Sequence, residues 1–193
     1  MKLPAEVSSR IEAYLALLAR WNARINLVGP SSPDSWRLRH IEDCLQLLPL
    51  LPPGEGPIAD LGSGAGLPGL ILAAATDREV HLVESDQKKC AFLREAIRTM
   101  GLSRARVHPI RVEQVRLPPL EAVTARALAP LARLLPHAHR LLAPGGVAIF
   151  PKGRQAEAEL TEAARHWHMT VERFGSRTDP EATIFRIRDL RPA

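Results

Sequence analysis

The sequence predicts a single α/β domain, residues 1–193, built on a doubly wound and mostly parallel sheet. From Pro57 onward, short apolar runs alternate with stretches of helical periodicity, an order typical of parallel strands joined by helices. A helical pattern precedes this region, and a joint rich in proline and glycine separates the two. A chain of this length buries roughly 70% of its unfolded surface on folding, so one core suffices without a disulfide or a metal.

The segment before the joint, residues 1–53, is predicted to form a cap of two helices. Apolar residues recur there at helical spacing, which favours a first amphipathic helix over residues 6–28. That helix is expected to end near Gly29 and Pro30, because both residue types disfavour its continuation. A second helix is expected over about residues 33–48.

The core, residues 54–193, is predicted to hold a seven-stranded sheet. Each strand corresponds to a short apolar run, and each helix corresponds to a longer stretch with a period of about 3.6 residues. The last two strands are separated only by a turn at Asp179 and Pro180, which predicts an antiparallel hairpin that closes the sheet. The strands are expected at residues 58–62, 80–84, 106–111, 122–127, 146–151, 169–174 and 183–188, and the helices at 67–76, 87–100, 130–141 and 155–167.

The charge of the chain permits a polyanionic partner without establishing one. Lysine and arginine number 26 against 21 acidic residues, a formal net charge of +5. The arginine-rich segment, residues 94–140, supplies this excess with nine arginines against three glutamates, and arginine is suited to bidentate phosphate contacts. The segment is equally compatible with an RNA surface and with a solvated basic face. Its arginines are Arg94, Arg98, Arg104, Arg106, Arg111, Arg116, Arg126, Arg133 and Arg140.

The two cysteines, Cys44 and Cys90, lie far apart and form no CxxC or Cys/His cluster, so neither a metal site nor a redox pair is predicted. Both are expected to be reduced thiols in a cytoplasmic protein. Residues 1–9 lack the basic-then-apolar layout of a secretory signal, and no apolar run approaches membrane-spanning length. We expect a monomer that is neither exported nor inserted in a membrane.

The densest functional signal is the glycine loop, residues 60–69, between a predicted strand and a predicted helix. Its glycines allow the backbone to turn sharply and to approach a ligand closely. Gly64 to Gly69 match the GxGxxG pattern of dinucleotide-binding loops, and Glu84 follows twenty residues later at the end of the next strand. An oxidoreductase that uses nicotinamide or flavin is therefore one alternative, and a turn that merely connects strand to helix is another.

Charge favours S-adenosylmethionine as the ligand of this loop. Asp60 is expected to face the ligand, where a carboxylate would repel a pyrophosphate but attract a cationic sulfonium amino acid. Glu84 suits either ligand, since the ribose hydroxyls of both favour a carboxylate acceptor. Pro68 fits the first turn of the following helix, where its missing N–H costs nothing. The loop glycines that complete this candidate site are Gly62, Gly64 and Gly66.

The glycine loop and its surroundings resemble the RsmG/GidB family of bacterial 16S ribosomal RNA guanine-N7 methyltransferases. The resemblance spans nearly the whole chain and rests on seven ordered segments. In the family, serine is usual at the positions of Cys44 and Ala125, and these departures affect only fine positioning. The similar segments are Trp21-Asn22 with Asn26-Leu27, Arg39-His40-Ile41-Glu42-Asp43, residues 60–69, Glu84-Ser85 with Lys88-Lys89 and Phe92-Leu93, Arg111-Val112-Glu113, Thr124-Ala125-Arg126-Ala127, and Lys152-Gly153.

The resemblance implies a class I, Rossmann-like methyltransferase fold and S-adenosylmethionine-dependent methylation of a guanine N7 in 16S ribosomal RNA or the small ribosomal subunit. Gly62 and Leu67 are implied to contact the cofactor. Val112 and Glu113 are implied to border its adenine, and Arg126 to lie beside cofactor and substrate. These positions fall at or just after the carboxyl ends of predicted strands, where open α/β sheets bind ligands.

Several of these polar residues also have a structural interpretation. Arg126 stands among apolar neighbours on a predicted buried strand, where an unpaired charge is costly, and this favours a functional arginine over a structural ion pair. Glu113 is equally compatible with an ordinary loop carboxylate. His40 and Asp43 lie about one helical turn apart and are expected to support the packing of the cap rather than to catalyse.

The implied reaction needs no catalytic acid or base, because guanine N7 already carries an exposed lone pair. Alignment of the nucleophile with the methyl group contributes on the order of 7–11 kcal/mol, which makes the shaped pocket the main catalyst. Arg126 or Lys152 would then hold a carboxylate of the cofactor or phosphates of the RNA. Two further alternatives stay open: a methyltransferase of the same fold acting on a small molecule or a protein, and a non-catalytic RNA-binding module for ribosome assembly.

Overall fold

A computed structural model describes residues 3–29 and 33–193 of the chain. Seven strands form one sheet: β1 Ile58–Leu61, β2 Val80–Val83, β3 Ala105–His108, β4 Leu120–Thr124, β5 Leu142–Lys152, β6 Trp167–Gly175 and β7 Thr183–Pro192. The α-helices of the described residues are α1 Ala5–Asn22, α2 Pro33–Trp36, α3 Asp43–Leu45, α4 Gly69–Ala75, α5 Gln87–Met100, α6 Leu131–Leu141 and α7 Ala156–Ala163.

The strand order is β3-β2-β1-β4-β5-β7-β6. Strands β1 to β5 are parallel, and β7 is antiparallel to both of its neighbours, β5 and β6. The predicted fold class is therefore confirmed, including the antiparallel hairpin that closes the sheet. The last helix, α7, ends at Ala163 rather than at residue 167, because Trp167 already belongs to β6. We call the end at which the parallel strands finish the carboxyl end of the sheet, and the opposite end the amino end.

The first helix is shorter than the sequence predicts. It ends at Asn22 rather than at residue 28, because the Asn22 side chain accepts hydrogen bonds from the backbone N–H groups of Leu27 and Val28 at 2.8 and 3.0 Å. An asparagine that binds nearby backbone donors in this way competes with helix propagation. The expected end near Pro30 lies outside the described residues.

The second cap helix, predicted over residues 33–48, is broken into short pieces. A π-helical turn at Arg37–Glu42 separates α2 from α3, and a 3-10 turn follows at Leu48–Leu50. Trp36 and Ile41 are both buried and stand five positions apart. The i to i+5 hydrogen bonds of a π turn bring this spacing onto one face, which a pattern of about 3.6 residues does not capture.

Two strands end earlier than predicted, and the residues released form loops at the carboxyl end of the sheet. β3 ends at His108 rather than at residue 111, because the next possible ladder donor, the Ile110 N–H, turns back to the carbonyl oxygen of His108 at 2.9 Å. β4 ends at Thr124 rather than at residue 127. Ala127 then adopts a φ of 52°, outside the strand conformation.

The helical cap packs against the core beside the glycine loop. The rings of Trp21 and Phe92 meet at a centroid distance of 5.8 Å, and Trp21 Nε1 donates to Glu95 Oε2 at 3.0 Å. The fully buried Tyr14 donates its hydroxyl hydrogen to the carbonyl oxygen of Ala65 at 2.8 Å. The cap therefore supports the glycine loop directly. No helix in the described ranges combines the length and the apolar character that crossing a membrane requires.

Candidate functional site

Two adjoining cavities open at the carboxyl end of the sheet. The first cavity, of about 480 Å³, lies among the loops that follow β1, β2, β3 and β4. The second cavity, of about 840 Å³, lies between the loop after β4, the end of β5 and the turn between β6 and β7. Residues 126–129 border both cavities. The size of the first cavity is typical of small-molecule sites, and its position is where open α/β sheets bind ligands.

The glycine loop forms one wall of the first cavity. Gly62 has a φ of +64°, a conformation that favours glycine, and a Cβ atom there would lie 2.5 Å from Leu128 Cδ1, so the Leu128 side chain would have to move. Three of the predicted cofactor contacts line this wall: Gly62, Gly64 and Leu67.

Asp60 and Gly66, two further predicted cofactor contacts, lie outside the lining of the first cavity. The Asp60 carboxylate is fully buried and accepts hydrogen bonds from the Gly69 N–H at 3.1 Å and the Thr124 hydroxyl at 3.2 Å. Burial raises the pKa of Asp60 to about 6 in spite of these hydrogen bonds. A Cβ atom at Gly66 would meet the side chain of Leu70. The Asp60 carboxylate therefore fastens the loop to β4 and α4, and its direct contact with a ligand stays a prediction.

Glu84 brings a carboxylate to the first cavity at the end of β2. Its Oε2 accepts the Gly64 N–H at 2.9 Å, and its Oε1 accepts the Asp86 N–H at 2.8 Å. Each carboxylate oxygen has a second lone pair. Glu84 can therefore hold the glycine loop in place and still accept hydrogen bonds from ligand hydroxyls.

The loop after β3 forms the opposite wall of the first cavity with Ile110, Val112 and Glu113. Arg140 fixes this loop, since its Nη2 donates to the carbonyl oxygen of Val112 at 2.7 Å. Glu113 Oε1 lies 3.9 Å from His137 Nε2, and the Glu113 side chain is exposed. An apolar wall with a carboxylate at its rim suits a flat heteroaromatic ring.

Arg126 lies at the junction of the two cavities and lines both of them. Its Nη1 donates to Asp43 Oδ2 at 3.2 Å and lies 3.5 Å from His40 Nδ1. Burial and the charge of Arg126 lower the pKa of His40, which favours the neutral imidazole. The sequence left an ion pair and a functional position as alternative roles of Arg126, and the structure shows the ion pair at a residue that borders both cavities. It likewise places His40 and Asp43, expected only to support the cap, at the second cavity.

The second cavity has walls from three distant parts of the chain. The cap contributes Arg39, His40 and Asp43, and the end of β5 contributes Lys152, whose Nζ is bound by Glu159 Oε2 at 2.9 Å and the Ala129 carbonyl oxygen at 2.6 Å. The third wall is the turn between β6 and β7. Its lining residues are Thr178, Asp179, Pro180 and Ala182, which sequence reasoning did not assign to a site.

The structure divides the arginine-rich segment between the two ends of the sheet. Arg111 and Arg133 are exposed and line the first cavity. Arg98 stands in the last turn of α5, and Arg104 directly precedes β3, so both belong to the amino end. Arg106 is held by Glu79 at 2.8 Å. The arginines do not form one continuous surface, and only part of them border the cavities.

Comparison with known proteins identifies relatives over nearly the whole chain. The rRNA small subunit methyltransferase G family (GidB) matches residues 7–178. A "Ribosomal RNA small subunit methyltransferase G" of Granulibacter bethesdensis is 55% identical over 185 residues, 96% of this chain and 86% of that protein. A protein of the same name from Rhodospirillum centenum is 52% identical over 187 residues, 97% and 86% of the two chains.

The fold also occurs among solved structures. The glycopeptide N-methyltransferase MtfA, solved in complex with S-adenosyl-L-methionine, superposes with a TM-score of 0.64 at 12% identity. The match covers 77% of this chain and 93% of that chain. At this identity the similarity establishes the fold, and it agrees with the parallel sheet and the carboxyl-end cavities described above.

Proposed function

The chain belongs to the rRNA small subunit methyltransferase G (GidB) family, and from this premise we propose that it transfers a methyl group from S-adenosylmethionine to N7 of a guanine in 16S ribosomal RNA. The observation that carries the proposal is the junction at residues 126–129, which borders both cavities. A cofactor in the first cavity and an RNA base in the second would meet at this junction.

The first cavity has the groups that S-adenosylmethionine requires, and this cofactor supplies an electrophilic methyl group when bound. Glu84 would accept the ribose hydroxyls, and the loop backbone at Gly62 and Gly64 would lie against the methionine part. Val112 and Glu113 would border the adenine. Asp60 fixes the loop that makes these contacts.

The surroundings of the junction favour an acceptor that needs no proton removed. The only imidazole that borders the second cavity within the described residues is His40, and burial and Arg126 lower its pKa, which makes it a weak base. Of the carboxylates there, Asp43 is paired with Arg126, Glu159 is paired with Lys152, and Asp179 accepts the Glu181 N–H. Guanine N7 has a free lone pair in the major-groove edge of the base. The described side chains therefore serve to hold and align the two reactants, which is the main requirement of this transfer. The target base must be unstacked or presented by the RNA fold to enter the cavity.

Three exposed arginines at the mouths of the cavities suit the approach of a structured RNA: Arg39, Arg111 and Arg133. None of the three forms a salt bridge with the part of the chain that the structure describes. Their guanidinium groups are free to bind phosphates on either side of the target nucleotide. We place the protein in the cytoplasm as a monomer that acts on the small ribosomal subunit.

The test is a transfer assay with small ribosomal subunits from cells that lack the enzyme. The purified protein and methyl-labelled S-adenosylmethionine are incubated with the subunits, and the RNA is digested to nucleosides. Label is expected in 7-methylguanosine, in assembled subunits or in naked 16S RNA. Label in another nucleoside would overturn the N7 assignment. Cofactor binding without any label in RNA would instead favour another acceptor or a non-catalytic assembly factor.

A further inference from the structure

The carboxylate of Asp43 connects three parts of the chain around the second cavity. Its Oδ2 accepts from Arg126 Nη1 at 3.2 Å, in the loop after β4. Its Oδ1 accepts from Thr178 Oγ1 at 2.9 Å, in the turn between β6 and β7, and from Gln46 Nε2 at 2.8 Å, in the cap. One side chain thus joins the junction of the cavities, the third wall of the second cavity and the N-terminal helices.

The cap also holds the backbone of this turn. The buried Gln46 accepts the Arg177 N–H on its Oε1 at 2.9 Å and donates from Nε2 to Ser176 Oγ at 3.1 Å. Ser176 Oγ in turn accepts the Thr178 N–H at 3.2 Å. Surface turns are usually the more mobile parts of a fold. Here, side chains of the cap fix the turn at its first residues, immediately before the segment that lines the cavity.

The ion pair with Asp43 fixes the direction in which the Arg126 side chain points. The Arg126 side chain is only 20% exposed and lies between the two cavities, while Asp43 is 16% exposed and approaches it from the cap. The carboxylate offsets the charge of the guanidinium and fixes its direction. Without this partner, Arg126 would be free to turn toward the phosphates or carboxylates that enter either cavity.

On the basis of the proposed function, we propose that Asp43 is a positioning residue, which holds Arg126 and Thr178 so that the second cavity keeps the shape that accepts the target nucleotide. The first cavity shares Arg126 and the rest of the junction, but its other walls include the loops after β1, β2 and β3, and Thr178 is not among its lining residues. Removing the hydrogen bond between Asp43 and Thr178 should therefore weaken use of the RNA substrate and spare binding of the cofactor.

The chain provides a matched pair of substitutions for the test. Thr178→Val removes the hydroxyl group that reaches Asp43 and keeps the size of the side chain. Thr170→Val removes a similar bond in the same hairpin, from Thr170 Oγ1 to Asp189 Oδ2 at 2.9 Å, away from both cavity linings. Thr178→Ser restores a hydroxyl group at the cavity and serves as the rescue variant.

The expected result is a fall of about tenfold in kcat/KM for small subunits in Thr178→Val, mainly through a higher KM for RNA. The Kd for S-adenosylmethionine should stay within about twofold of the wild-type value. Thr178→Ser should recover most of the activity, and Thr170→Val should transfer methyl groups like the wild type. The Tm values of the two valine variants show whether folding is affected equally.

Each other outcome decides against one of the two proposals. Absence of label in RNA with the wild-type protein would refute the proposed function, whatever Thr178→Val does. An active wild type together with an equally active Thr178→Val would refute the positioning role of Asp43. Parallel loss of cofactor binding and RNA methylation in Thr178→Val would refute it as well, because the hydrogen bond would then be a general support of the fold.

Discussion

Arg78 and Arg126 are two largely buried arginines at opposite ends of the same sheet. Arg78, just before β2, donates to Glu121 Oε2 at 2.8 Å and to carbonyl oxygens of the joint before β1, among them Gly56 at 3.1 Å. Arg126, just after β4, has Asp43 as its salt-bridge partner and borders both cavities. The donors of Arg78 are used within the fold, whereas Arg126 still faces space that a ligand can enter.

The two arginines differ in how completely the surrounding fold uses their hydrogen-bond donors. At the amino end, the joint closes over Arg78 and leaves it 6% exposed, so the charge is compensated by carbonyl oxygens and one carboxylate. At the carboxyl end, the loops diverge around the two cavities, and Arg126 borders both of them. Substitutions at the carboxyl end should therefore affect methyl transfer, and matched substitutions at the amino end should affect stability alone.

The largest effect is expected from Gly62→Val compared with Gly101→Val. The two glycines have nearly the same φ, +64° and +66°, but a Cβ atom at Gly62 meets Leu128, while none of the described atoms lies within 4 Å of one at Gly101. Both variants should lose about 1–3 kcal/mol of stability from the strained backbone. Only Gly62→Val should weaken binding of S-adenosylmethionine, on the order of 1000-fold, as measured by calorimetry. Equal cofactor affinity in the two variants would contradict the position of the first cavity.

The second comparison is Arg126→Ala with Arg78→Ala. Arg126→Ala should lower kcat/KM for small subunits on the order of 100-fold with a small change in Tm. Arg78→Ala leaves the carboxylate of Glu121 and several carbonyl oxygens without their donor, so it should cost about 3–5 kcal/mol of stability. The folded fraction of Arg78→Ala should bind the cofactor normally. The reverse pattern, in which Arg126→Ala mainly unfolds the protein, would make Arg126 a structural residue.

A smaller effect is expected from the arginines of the arginine-rich segment. The double variant Arg111→Ser and Arg133→Ser should weaken binding to small subunits about tenfold and reduce the slope of log Kd against log salt by up to about 0.9 for each phosphate that is no longer bound. The double variant Arg98→Ser and Arg104→Ser, at the amino end, should leave the slope unchanged. If the amino-end variant flattened the slope instead, the RNA would approach from the other side of the sheet.

The smallest effect on transfer is expected from Asp60→Asn, because this side chain faces the loop and not the cavity. Burial raises its pKa from 3.8 to about 6 in the folded protein. The folded state therefore retains a proton that the unfolded state has lost, and the free energy of unfolding falls as the pH rises from about 4 to about 6. Urea unfolding across this range should show that contribution in the wild type and not in Asp60→Asn. Cofactor affinity should change by less than about threefold, and a loss like that of Gly62→Val would return Asp60 to the cofactor contacts.

The succession of strands and helices along the chain follows directly from the sequence, because apolar runs and turn residues alternate clearly after Pro57. The predictions failed where local hydrogen bonds decide the backbone. The Asn22 side chain ends α1 by binding two backbone N–H groups, and β3 ends where the Ile110 N–H turns back to the carbonyl oxygen of His108. Neither effect changes the hydrophobic pattern, so neither is visible in it.

The residues of the candidate site also differ in how far the sequence predicts them: some belong to a local motif, and others depend on partners that are distant in the chain. Gly62 and Glu84 belong to contiguous motifs at strand ends, and the structure places both at the first cavity. Asp60 belongs to the same motif, but its burial beneath the loop depends on Thr124, a partner from another strand. The hydrogen bond between Asp43 and Thr178 joins residues 135 positions apart and has no local signal at all.

Hydrogen exchange with and without S-adenosylmethionine tests the central claim, that the cofactor binds at the carboxyl end of the sheet and not at the amino end. Binding of the cofactor is predicted to slow amide exchange in residues 62–65, 67, 110–113 and 126–129, which line the first cavity. Exchange at the amino end, in residues 54–56 and 101–104, is predicted to stay unchanged. Protection at the amino end, or bound cofactor without protection of the glycine loop, would contradict the account.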